Sequence, residues 1–92
     1  MTGQRYRRSP AALHRTVGHE VLLAEADRDG FDVLPGTAAS VWTLLEEPAT
    51  LPELSHELAR TYGTPVERIA TDVEPLLDEL VRRGWLERID DD

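Results

Sequence analysis

Ninety-two residues with no cysteine allow one domain with a small core, too little to enclose a large catalytic cavity, and they supply no disulfide, thiolate metal site or thiol nucleophile. Arg5, Arg7, Arg8 and Arg15 precede Val17 with no acid among them, and the rest of the chain sets 6 basic against 18 acidic residues, a net of −12. A body this acidic repels phosphate backbones and attracts basic polypeptide, so nucleic acid is an unfavourable partner.

Residues 1–11 read as a flexible basic arm, since they are polar, Arg-rich and without periodicity. They lack the apolar stretch of a signal peptide, and apolar runs such as residues 21–24 are far too short to span a membrane, so the expectation is a cytoplasmic protein with no membrane partner. Residues 13–17 and 20–26 are apolar-rich runs joined by Gly18-His19, which suits a hairpin of two antiparallel strands. Asp27-Arg28-Asp29-Gly30 carries a tight-turn signature, and residues 31–34 follow as a third strand that Pro35, lacking an amide donor, would terminate.

Three helices come next. The first, about 36–46, has Ala38, Val41, Trp42 and Leu45 at helical spacing and stops before Pro48. The second opens on Thr50-Leu51-Pro52-Glu53, a capping box, and closes at Gly63 with Leu51, Leu54, Leu58 and Tyr62 on one stripe. The third opens on Thr64-Pro65-Val66-Glu67, which also has capping-box spacing, and runs to Gly84 with Pro75 inside it, where a kink or loosening is expected. Residues 85–89 fit a short strand or an extended cap, and 90–92 an acidic tail. The fold class is therefore α+β, a three-stranded antiparallel sheet followed by three helices, in a domain spanning 12–89.

Two features point to a docking surface. Ile69, Val73, Leu76 and Leu80 fall on one shoulder of the third helix and Val66, Ala70, Leu77 and Val81 on the next, an arc of roughly 140° where a one-sided surface helix needs about 100°. Both shoulders could be core, or some of that surface is left for a guest. In addition, a simple strand order places residues 31–34 at a sheet edge, whose unpaired amides and carbonyls can accept a guest strand. That same edge could instead pair with a second copy, so the chain is expected as a monomer or an edge-paired dimer.

Catalytic chemistry finds little support. His14, His19 and His56 have no further ligands at metal-binding spacing, Ser9, Ser40 and Ser55 lack a Gly-x-Ser-x-Gly context, and no Gly-rich loop could cradle phosphate. No metal, no cofactor and no catalytic residue is expected. Trp42 and Trp85 read as core anchors whose indole N–H groups need partners if buried. The alternative from another class is a winged helix-turn-helix DNA-binding regulator, but its recognition helix over 66–83 would present Glu67, Asp72, Glu74, Asp78 and Glu79 against Arg68, Arg82 and Arg83.

The order of Gly18 to Leu23, Gly30 to Leu34, Gly36 to Trp42 with Leu44-Leu45, Leu58-Ala59 with Tyr62, Asp72-Val73, Leu76-Leu77, Leu80 and Gly84-Trp85-Leu86 resembles the PqqD-like family. These are the precursor-peptide recognition elements of pathways that make modified ribosomal peptides. The resemblance implies a winged-helix-like fold that is not itself an enzyme and adds a leader peptide as a strand along the third strand. It implies that the backbone of Phe31, Asp32, Val33 and Leu34 pairs with the leader while Ile69, Asp72, Val73 and Leu76 line the groove. It further implies a separate partner enzyme, such as a radical-SAM protein or the leader peptidase of a lasso-peptide pathway. Asp32 and Asp72, if both face the groove, would favour a basic leader.

Overall fold

The computed structural model describes residues 4–26 and 29–90. In chain order the elements are β1 (Gln4–Arg8), β2 (Leu13–Val17), β3 (Glu20–Ala24), β4 (Asp32–Leu34), α1 (Gly36–Leu44), β5 (Ala49–Thr50), α2 (Leu51–Tyr62), α3 (Val66–Arg82) and β6 (Leu86–Asp90). The expected antiparallel sheet is present in the order β2-β3-β4, with Arg15 opposite Leu22 and Leu22 opposite Val33. Three helices follow it, as expected. Gly18 sits at the hairpin turn with φ 61°, a conformation in which a Cβ would be strained.

The segment 4–8, read from composition as part of a flexible arm, is instead a strand. β1 is the centre of a second sheet, β5-β1-β6, in which Gln4 faces Asp90 and Arg8 faces Leu86. Tyr6 is buried in the core, whereas Arg7 pairs with Glu87 at 2.7 Å. Arg8 donates through Nη2 and Nε to the Trp42 carbonyl, at 2.6 and 3.0 Å, and its guanidinium lies 4.9 Å from the Trp42 ring centroid. A cation on the last carbonyls of α1 is where the helix dipole favours it. Burial lowers the Arg8 pKa and Glu46 opposes that shift. Asp90, assigned from sequence to an acidic tail, closes β6; Met1 to Gly3, Asp27, Arg28, Asp91 and Asp92 lie outside the described residues.

The core joins both sheets to the helices through Val21, Leu23, Leu34, Val41, Trp42, Leu54, Leu58, Val73, Leu77, Leu80, Trp85 and Leu86, all buried. At the start of α2 the capping box forms: the Glu53 amide donates to Thr50 Oγ1 at 3.2 Å, and the Thr50 amide to Glu53 Oε1 at 2.8 Å. At the start of α3 it does not. Pro65 itself occupies the N-cap with no side-chain bond, so Thr64 lies one residue outside, and its hydroxyl donates to the Tyr62 carbonyl at 3.4 Å. The helix continues through Pro75 without interruption. It ends in a Schellman motif: Gly84, at φ 87°, donates to the Val81 carbonyl, and the Trp85 amide to that of Leu80, both at 3.0 Å. That ending turns Trp85 back under the helix and launches β6.

Candidate functional site

β4 pairs on one side with β3 and lies at the end of its sheet, so among the described residues its other side pairs with no strand. Alternation along the strand turns Leu34 into the core, leaves Val33 40% exposed on the outer face, and turns Asp32 toward the helices. Phe31, one residue before the strand, is 66% exposed. The main-chain edge anticipated from sequence is therefore open, although the regular strand is only three residues long.

Arg83 shows which side of α3 faces this edge. Its Nη1 lies 3.8 Å from Asp32 Oδ2, and the Trp85 indole donates to the same oxygen at 2.5 Å. Stepping back from Arg83 by helical repeats gives a stripe of Glu79, Leu76 and Asp72. Asp72 is exposed and Leu76 half-buried against the core. Ile69, by contrast, is almost entirely buried and Val73 entirely so.

The eight residues named from sequence thus divide. Phe31, Asp32 and Val33 with the main chain of Leu34 form the open edge, and Asp72 and Leu76 lie on the same stripe of α3 as Arg83, which reaches Asp32. Ile69, Val73 and the Leu34 side chain lie beneath as support. The surplus apolar arc of α3 is mostly core, because one shoulder packs inward through Ile69, Val73 and Leu80 and the other through Leu77. Arg83 and Trp85 were not named from sequence as site residues. Their position depends on the Schellman turn at Gly84, which does signal in sequence, and on a contact across 53 positions, which does not.

The local electrostatics also differ from a bare pair of aspartates. Asp32 is engaged by Trp85 and Arg83, and Glu79 binds Arg83 through Nε at 2.8 Å and also meets Arg82. Asp72 is exposed and has no ion-pair partner among the described residues. No group of three or more potential metal ligands occurs among the described residues. An open cleft of about 500 Å3 lies elsewhere, between the β2–β3 hairpin, α1 and α2, where the Ser40 and Tyr62 hydroxyls share a hydrogen bond of 2.8 Å.

A small α+β domain whose three-stranded antiparallel sheet is followed by three helices, with β4 at the sheet edge among the described residues, has a winged-helix-like fold. Residues 20–86 match the family described as "Coenzyme PQQ synthesis protein D (PqqD)", and the chain belongs to that family. Two solved structures share its fold. TbiB1 in complex with the TbiA(beta) leader peptide aligns with a TM-score of 0.79 and 22% identity over 88% of this chain and 94% of the other. The PqqD truncation of Methylobacterium extorquens PqqCD, described as a stand-alone recognition element for ribosomally synthesised, post-translationally modified peptides, aligns with a TM-score of 0.75 and 23% identity over 91% and 89%. The comparison with curated proteins gives no match.

Proposed function

We propose that this protein is a non-catalytic peptide-binding module that captures the leader segment of a ribosomally made precursor peptide and presents it to a separate modifying or leader-cleaving enzyme. The observation that carries the proposal is the side of β4 that pairs with no strand among the described residues, with Arg83, at the end of the Asp72–Leu76–Glu79 stripe of α3, reaching its Asp32. Backbone bonds to the edge give affinity that tolerates sequence, and side chains against α3 give preference. Leu76 supplies apolar contact and Asp72 favours Lys or Arg in the guest. The chain's membership of the PqqD family and its fold similarity to a leader-bound protein support this reading.

The DNA-binding alternative loses its basic element. Arg7 and Arg8, which would have formed a free cationic arm, are committed to Glu87 and to the end of α1. The exposed side of the would-be recognition helix keeps its excess of acid.

Amide NMR of the labelled protein, titrated with the leader segment of a precursor encoded beside its gene, tests the proposal. The largest shifts are expected at residues 31–34 and 69–76. Leu76→Glu should weaken binding at least tenfold, about 1.4 kcal/mol, with the folded spectrum retained. Shifts confined to β1 and β6, or full affinity in Leu76→Glu, would overturn it. Val73→Glu is unsuited to this purpose, since it buries a carboxylate in the core and should unfold the chain.

A further inference from the structure

Among the described residues no helix covers the outer face of the β2-β3-β4 sheet, and the strand register assigns its residues. Leu13, Arg15 and Val17 of β2, Glu20, Leu22 and Ala24 of β3, and Val33 of β4 point the same way, because their neighbours Val21, Leu23 and Leu34 point into the core. Leu13 is 62% and Val17 52% exposed, and with Val33 and Phe31 they border the half-buried Leu22. Exposed apolar side chains gathered on one sheet face offer a small interaction surface, below the size that marks a stable interface. This face is distinct from the β4 edge, which uses main-chain groups in the plane of the sheet.

We infer that this face associates with the same face of a second copy, forming a weak two-fold dimer that leaves both β4 edges free. Its charge pattern selects that occupant. On a chain of net charge −8 this face holds one cation and one anion, Arg15 and Glu20, both exposed and neither ion-paired among the described residues. It is therefore a place where two acidic copies can meet with little local repulsion. Arg15 lies across from Leu22 and Glu20 across from Val17, so the two charges are diagonal neighbours in the sheet. A two-fold axis along the other diagonal, through Val17 and Leu22, sets each Arg15 over the Glu20 of the second copy and stacks Val17 and Leu22 on their own counterparts. Such an interface is isologous and closed. The strands then cross steeply, nearer to the orthogonal than to the aligned class of sheet packing.

The size of the face sets the strength. Strand spacing and rise give it a footprint of about 200 Å2. Even doubled for side-chain relief, that is well short of the ~800 Å2 per partner of a standard stable interface. The dimer is accordingly in fast exchange and forms at high concentration only. The inference goes beyond leader capture and stands or falls separately from it.

Sedimentation equilibrium of the full chain tests the pairing at about 0.15 M salt, where charges beyond ~8 Å are screened. The mean mass should rise from the monomer's 10.3 kDa as concentration approaches the millimolar range. Arg15→Glu and Glu20→Arg should each weaken association about tenfold or more, the double variant should restore it, and Val17→Asp should abolish it, all with native amide spectra. A mass that stays monomeric throughout, or a double variant no better than the singles, overturns the inference and leaves the face to a different protein. Leader titration of the same variants separates the two proposals. A wild-type chain that stays monomeric yet binds leader removes only the dimer; one that pairs without binding leader removes only the proposed function.

Discussion

The Trp85 indole and the Arg83 guanidinium converge on one carboxylate oxygen, so Asp32 ties the start of β4 to the end of α3. Asp32→Ala removes the acceptor of an indole whose ring is buried, at an expected cost of about 1–3 kcal/mol. Asp32→Asn keeps an oxygen for the indole and should lose less than about half of that. Urea denaturation of the two variants measures the difference, and equal losses would show that the ion pair rather than the indole bond dominates. The Trp42 indole offers a contrast, being buried with no hydrogen-bond partner among the described residues. Asp72 plays the opposite part to Asp32, since it is exposed and holds nothing in place. Asp72→Lys should leave stability unchanged and weaken a basic leader by about 0.2–1 kcal/mol, an effect that calorimetry should find shrinking as salt is added. The two aspartates thus divide into a structural tie and an exposed charge that the proposed function assigns to the guest, a distinction set by Arg83 and Trp85 arriving from 51 and 53 positions away.

Elements with local signals were legible, and those built by distant pairing were not. The β2–β3 hairpin, β4 and all three helices followed from turn residues, caps and apolar spacing that lie within a few positions of one another. β1 has one buried apolar residue in five, and its strand partners lie more than 40 and more than 75 positions away, so composition alone suggested a loose arm. Two similar Thr-to-Glu spacings likewise behaved differently. In the first, proline follows the cap by two residues and the box closes; in the second, proline takes the cap itself. Thr50→Ala should therefore cost about 1 kcal/mol and lower Tm by about 4–8 °C, whereas Thr64→Ala should cost little by thermal denaturation. A chain starting at Ser9 should be far worse off. Losing Tyr6 from the core costs about 3–5 kcal/mol if it behaves as other buried aromatics do. Set against the ~5–15 kcal/mol that holds a domain of this kind folded, the truncated chain should show a much earlier and broader melting transition.

At the scale of the whole molecule, several arginines are held by partners within the fold while an excess of carboxylates remains. Arg7 and Arg8 meet Glu87 and the end of α1, and Arg88 meets Asp78 at 2.6 Å, while the chain as a whole keeps its net −8. On the proposed function, a guest with Lys or Arg would then be drawn in from a distance before any strand pairing forms. Edge hydrogen bonds and the contact with Leu76 would be made only after docking and be little affected by salt. These two contributions predict different kinetic signatures. As salt rises from about 20 to about 500 mM, the association rate of a basic leader should fall several-fold while its dissociation rate stays nearly constant. Stopped-flow mixing with a fluorescently labelled leader separates the two rates. A dissociation rate that climbed in step with salt would mean that charge pairs hold the bound complex, and the open β4 edge would then cease to be the main source of affinity.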